Sequence, residues 1–238
     1  MSIFGAEVIG TALLILLGNG VVACVLLNLS KGQNAGWIVI TFGWGMAVMV
    51  AVFAVNQFSG AHLNPAVTLG LAVAGNIEWG DVPEYWAGEF VGAFIGATLV
   101  WLAYLDHWRE TEDPGLKLAC FSTAPAIRNP VSNFITEVIG TFVLVFAVLG
   151  WFTDEATAAT GLGGLLVGLL VLSIGLSLGG PTGYAINPAR DLGPRIMHAI
   201  LPIAGKGGSD WSYAWIPVVG PLIGGALGAG AFELFFPG

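Results

Sequence analysis

Ser59-Gly60-Ala61-His62-Leu63-Asn64-Pro65-Ala66-Val67-Thr68 and Gly183-Tyr184-Ala185-Ile186-Asn187-Pro188-Ala189-Arg190-Asp191 are two copies of one local pattern, an Asn-Pro-Ala triplet opening a short apolar stretch. Asn can cap the first turn of a helix, and Pro at the first helical position loses no needed donor, so each triplet predicts a helix N-terminus. The stretches that follow, 64–74 and 187–200, are too short to cross about 30 Å of hydrocarbon. They read as re-entrant half-length segments whose backbone must be sheltered by protein. If both N-termini meet near the midplane, each presents a partial positive charge there. A cation or hydrated proton then faces an electrostatic barrier that a neutral molecule does not. The amides of Asn64 and Asn187 are only partly used in capping, which leaves N–H donors for a passing oxygen.

The rest of the chain agrees with a membrane setting. Of its 238 residues 56% are hydrophobic and 9% charged, with mean hydropathy +0.84, far from the roughly 25% charged content of a soluble domain. Apolar runs long enough to span lie near 3–27, 37–57, 83–105, 132–152, 160–179 and 212–235. The net charge of -8 comes from acids gathered in short polar stretches such as Asp106 to Asp113 and Asp154-Glu155. These read as solvated loops, and no nucleic-acid partner is expected. Cys24 and Cys120 sit too far apart in sequence and setting for a disulfide framework or a metal motif. Val21-Val22-Ala23-Cys24 follows an apolar run as in a lipoprotein signal, but residues 1–20 hold Glu7 and no Lys or Arg. The first run therefore reads as a retained helix.

Glu7-Val8-Ile9-Gly10-Thr11 recurs as Glu137-Val138-Ile139-Gly140-Thr141, and Val91-Gly92, Ile95-Gly96 and Leu99 recur as Val219-Gly220, Ile223-Gly224 and Leu227. Residues 1–238 thus form a single domain of two repeats, approximately 1–115 and 130–238. With three spans per copy, the second must enter the membrane from the other side, an inverted repeat. Gly88-Gly92-Gly96 and Gly220-Gly224-Gly228 read as ordinary close packing of helices.

Glu7 and Glu137 each place a carboxylate inside a span, where it needs a partner; the alternative is a proton-coupling pair. Arg190, one turn into the second half-helix, faces the same lumen as Asn187, the alternatives being snorkelling or pairing with Asp191. His62 has no Cys, His or acid nearby at ligand spacing and reads as pore lining, not a metal ligand. No clustered nucleophile, base or metal set points to an enzyme.

The paired loops closely resemble those of aquaporins, and over its whole length the chain resembles the aquaglyceroporin, or glycerol facilitator, branch. That resemblance implies an all-α, right-handed bundle of six transmembrane helices plus two re-entrant half-helices. It also implies homotetramers with one pore per chain and no cofactor, in the cell membrane with both termini cytoplasmic. The implied function is passive diffusion of glycerol and other small uncharged solutes, with water, dihydroxyacetone, urea and undissociated lactic acid as passengers of similar size. Ions and protons are excluded by an arginine and the half-helix dipoles, as in aquaporin-type pores generally.

By the same resemblance the selectivity filter is Trp44, Gly175, Tyr184 and Arg190. Gly175 removes bulk where water-selective members carry a histidine, and Trp44 and Tyr184 form an apolar wall opposite Arg190. Tyr184 replaces the phenylalanine common among glycerol channels, and its hydroxyl either narrows the filter or adds a donor. Glu7 and Glu137 accept hydrogen bonds from the loop backbone, while Asp191, Arg195, Pro217 and Val218 mark the glycerol branch. Lys31, Arg109, Lys117, Arg128 and Lys206 all fall after spans one, three and five, which by charge alone would put those connections in the cytoplasm. The resemblance implies the reverse orientation, and the expectation follows it. Two competing functions remain, a proton-coupled carrier using Glu7 and Glu137, and a packing protein that does not conduct.

Overall fold

Each half of the chain contributes two long helices pressed together along a stripe of glycine. In the computed structural model, which describes residues 1–153 and 155–236, the first half holds α1 (Ile3–Leu26), α2 (Trp37–Ser59), the half-helix α3 (Pro65–Val73) and α4 (Val82–Ala103). Two short helices follow, α5 (His107–Glu110) and α6 (Pro114–Ala119). The second half holds α7 (Pro130–Thr153), the short α8 (Glu155–Ala158), α9 (Gly163–Leu178), the half-helix α10 (Pro188–Ile200) and α11 (Ile216–Phe235). No strand occurs among the described residues. Asp154 and the side chain of Glu155, from the second acidic stretch, lie outside them.

α4 packs on α1, and α11 on α7. A Cβ at Gly88, Gly92 or Gly96 would stand 2.5–2.8 Å from the backbone oxygens of Phe4, Val8 and Ala12. A Cβ at Gly228 would come within 2.8 Å of Phe142 O. At such approach only glycine fits, and burial comes from backbone against backbone. The two halves meet where α2 crosses α9: a Cβ on Gly45 would reach 2.7 Å from Gly168 O, and one on Gly168 the same distance from Gly45 O. The half-helices are exchanged between repeats, α3 packing on α11 and α10 on α4.

Five of the six expected spans are helices long and apolar enough to cross a membrane. The run expected over 160–179 is shortened to α9, whose 16 residues rise about 24 Å and need their flanking turns to cover the hydrocarbon. Gly161 turns the chain at φ 70° before it, and Gly179-Gly180-Pro181 cannot sustain it beyond. The last span likewise starts only at Ile216, since residues 211–215 form turns. The connection over 106–120 is solvated along its acids but not throughout. Its acids are exposed, as a solvated loop requires, yet Trp108, Lys117, Cys120 and Phe121 are buried. Asp113 caps α6, its side chain accepting from Gly115 N at 2.7 Å, and Lys117 Nζ donates to Ala204 O.

Candidate functional site

The two Asn-Pro-Ala triplets come together at the centre of the molecule. Asn64 Oδ1 accepts from Ala66 N (2.9 Å) and Asn187 Oδ1 from Arg190 N (3.1 Å), so each caps its own half-helix. The amide nitrogens cross over: Asn64 Nδ2 donates to Ile186 O at 2.8 Å, and Asn187 Nδ2 to Leu63 O at 2.7 Å. An amide carries two N–H donors. One on each Asn ties the two loops together, and the second is left for the cavity that both residues line.

The loops leading into the triplets are backbone-strained in matching places. Ala61 (φ 53°), Leu63 (56°), Tyr184 (40°) and Ile186 (43°) are all left-handed, a conformation costing about 1–3 kcal/mol each and least suited to β-branched Ile186. Alternating it with extended residues turns successive N–H groups to one side. Glu7 receives them in the first loop: Oε1 accepts from His62 N (3.0 Å) and Ser59 Oγ (2.6 Å), and Oε2 from Leu63 N (2.7 Å). Glu137 does so in the second, accepting from Ala185 N (3.0 Å), Ile186 N (2.8 Å) and the Thr182 side chain. In a trans peptide the carbonyl opposes the next N–H, so the carbonyls of Ala61, His62, Tyr184 and Ala185 face the other way, into the cavity these residues line.

That cavity, about 380 Å³, runs from Asn76, Ile77 and Phe152 past both triplets to Trp44, Tyr184 and Arg190. Arg190 is buried, and no protein acceptor meets any of its guanidinium nitrogens among the described residues. The face of Trp44 lies against it, 4.0 Å from Cζ to ring centre. The ring expected to stand opposite the guanidinium therefore stacks on it, a cation–π contact that holds the cation in place without using its donors.

Gly175 also differs from the expectation. Its missing side chain does not widen the lumen but admits the tyrosine ring: a Cβ there would stand 2.7 Å from Tyr184 Cζ and 2.9 Å from the hydroxyl oxygen. That hydroxyl is buried and has no hydrogen-bond partner among the described residues, so it neither adds a donor to the lumen nor projects across it. Tyr184→Phe should accordingly leave solute preference unchanged and raise stability by about 1 kcal/mol, the relief of an unmet buried hydroxyl. Solute flux in vesicles and thermal unfolding in detergent check this.

The second arginine of the half-helix behaves in the opposite way. Arg195 Nε and Nη2 meet Asp191 Oδ1 at 2.9 and 2.7 Å, Nη1 meets Ser209 O and Asp210 O, and Nη2 meets Thr123 O. Asp191 Oδ2 in turn accepts from Thr123 N and Oγ1, both at 2.7 Å. Asp191 is thus the partner of Arg195, not of Arg190, and the pair ties α10 to the segments around 123 and 209. Pro217 lies in the first turn of α11, where it costs no hydrogen bond, with Val218 beside it half-buried.

Two residues at the site escaped the sequence reading. Glu89, fully buried in α4, accepts from Asn64 N (3.1 Å) and Thr68 Oγ1 (2.8 Å). A lone acid in an apolar span is the same signal that singled out Glu7 and Glu137, but it has no counterpart in the repeat. Trp37 donates from Nε1 to Gly175 O at 3.1 Å and meets Tyr184 edge-on at 5.8 Å. At the start of a span such a tryptophan looks like an interfacial anchor, so no sequence signal separates it.

A family model described as Major intrinsic protein matches residues 2–232. The "Probable glycerol uptake facilitator protein" of Thermotoga maritima is 60% identical over 99% of this chain and 100% of its own length. The "Glycerol uptake facilitator protein" of Bacillus subtilis is 54% identical over 100% of this chain and 86% of its own. Among solved structures, the aquaglyceroporin from Plasmodium falciparum superposes with TM-score 0.87 at 30% identity, covering 98% of this chain and 96% of that one. The likeness in sequence and in backbone extends over both halves and both re-entrant loops: the chain belongs to the major intrinsic protein family, and it is a multi-pass membrane protein, not an enzyme.

Proposed function

We propose that this chain is a passive channel for glycerol and other small uncharged solutes, each subunit of a homotetramer holding its own pore, with both termini in the cytoplasm. The observation that carries the reading is Arg190, a buried guanidinium whose donors meet no protein acceptor among the described residues, at the end of a membrane cavity. A permanently charged group left so costs too much unless something passing through accepts its hydrogen bonds. The lining has two kinds of surface, apolar side chains such as Leu14, Val52, Leu144 and Val171, and a polar track of loop carbonyls, two Asn amides and Arg190. A polyol has the same two edges, carbon and hydroxyl, and the names of the relatives point to glycerol.

In this reading Trp44 holds Arg190 flat, Gly175 seats Tyr184, and these four set the narrowest passage. Glu7 and Glu137 support the loops. They favour a channel over a proton-coupled carrier, because both oxygens of each already accept hydrogen bonds from their own loop, whereas a coupling acid must exchange its proton across the membrane. Vesicles containing the protein should swell in isosmotic glycerol faster than empty ones, with no ion gradient and with a rate linear in concentration. Uptake that saturates and follows an imposed pH gradient would instead establish the carrier. Water, urea, dihydroxyacetone and lactic acid at low pH, run in parallel, give the solute ranking.

A further inference from the structure

Glu89 has no role in the filter, yet it is a fully buried carboxyl beside the first triplet. Its Oε1 accepts two donors, Asn64 N at 3.1 Å and Thr68 Oγ1 at 2.8 Å. Thr68 Oγ1 also lies 3.0 Å from His62 Nδ1. A hydroxyl has a single proton. Once Thr68 gives it to Glu89, its oxygen can only accept from the imidazole, so Nδ1 must carry a hydrogen. The deduction holds for a carboxylate and for a carboxyl whose proton sits on Oε2, since Oε1 then still accepts from Thr68; a proton on Oε1 would reverse both bonds, and the tautomer of the ring reports which arrangement is present.

The ring has little freedom to answer otherwise. Tyr85 stacks on it, centres 3.9 Å apart and planes 6° from parallel, and is itself fixed by a 2.6 Å bond from its hydroxyl to Ser59 O. His62 lines the channel cavity, and its Nε2 meets no donor or acceptor of the protein among the described residues. In a neutral ring with hydrogen on Nδ1, that Nε2 is a bare acceptor.

We propose that Glu89, acting through Thr68, fixes His62 in the Nδ1-protonated tautomer and so makes His62 Nε2 a hydrogen-bond acceptor for solute hydroxyls in the channel. The proposal rests on the channel reading above and adds a side-chain acceptor near the donors Asn64, Asn187 and Arg190. It selects for solutes with hydroxyl or N–H donors over equally small solutes that only accept. It also acts in one half alone. The positions matching His62, Thr68 and Glu89 in the second repeat are Ala185, Asp191 and Pro217, which cannot form such a chain.

The test is nitrogen NMR of protein labelled with ¹⁵N-histidine in lipid bilayers, His62 being assigned among the three histidines by its absence in His62→Asn. The wild-type ring should show a protonated Nδ1 and an unprotonated Nε2. Thr68→Val, which keeps the volume and removes the hydroxyl, should release the proton to Nε2 and lower glycerol permeability about fivefold, the scale of one net hydrogen bond. Glu89→Gln, whose carbonyl still accepts, should keep the wild-type tautomer. A wild-type ring protonated on Nε2 or on both nitrogens, or a Thr68→Val ring unchanged at Nδ1, overturns the chain. A changed tautomer with unchanged glycerol flux overturns the solute contact. Failure of the wild type to pass glycerol at all would strike the channel reading instead, since the tautomer is read without any flux.

Discussion

Replacing Arg190 with leucine is expected to raise proton and small-cation leakage about 100-fold while glycerol still passes. A unit charge about 6 Å from a guanidinium, at an effective dielectric of about 20, is repelled by about 3 kcal/mol, and that barrier disappears with the charge. The dipoles of α3 and α10 remain, so the residual exclusion measures their share. Arg190→Lys separates charge from shape. It retains the barrier but loses the flat stack on Trp44 at 4.0 Å and the fork of donors, so leakage should stay low while discrimination among polyols falls. A pH-sensitive dye inside vesicles under an imposed potential reads the leak, and swelling reads the solutes. An Arg190→Leu channel as proton-tight as the wild type would remove Arg190 from the exclusion mechanism.

Glu137→Ala should be nearly as damaging, but through the fold. It strips the acceptors from Ala185 N, Ile186 N and Thr182, and each buried donor left unmet costs about 1–3 kcal/mol. The left-handed Tyr184 and Ile186 then lose the carboxylate that gathers their loop, and domain stability is only about 5–15 kcal/mol. A sharply lower thermal midpoint and glycerol flux near that of empty vesicles are expected. Glu137→Gln keeps one acceptor oxygen but turns an NH₂ toward a backbone N–H, so it should fall between. A stable, well-folded Glu137→Ala protein that conducts like the wild type would remove Glu137 from the support of the second loop.

The repeat made much of this legible. Asn64 and Asn187 announced two helix starts by local chemistry alone, and Glu7 and Glu137 stood out because each confirmed the other at matching positions. Glu89 faces Pro217 in the alignment of the halves, so no twin singles out this buried acid. Gly175 showed only an absence, and whether that space belongs to a solute or to Tyr184 depends on how the second loop bends, which a left-handed Tyr184 decides. Trp44 was placed at the filter, but its stacking on Arg190 depends on the angle between α2 and α10. Helix ends were read from hydropathy, which continues through Thr160 to Leu162 although Gly161 has already turned the chain.

The crossed bonds between Asn64 and Ile186, 122 positions apart, and between Asn187 and Leu63, 124 apart, bear on how the molecule is made. When the first three spans leave the ribosome, the first loop has its glutamate but neither the amide that meets Leu63 O nor the groove on α11 that receives α3. Irregular backbone is not tolerated against lipid. The amino-terminal half must therefore wait, either held at the translocon or with residues 60–74 still at the aqueous surface, until the carboxy-terminal half is synthesised. Chains cut between residues 115 and 130 and expressed as two pieces should accordingly insert separately yet conduct only when both are present in one membrane.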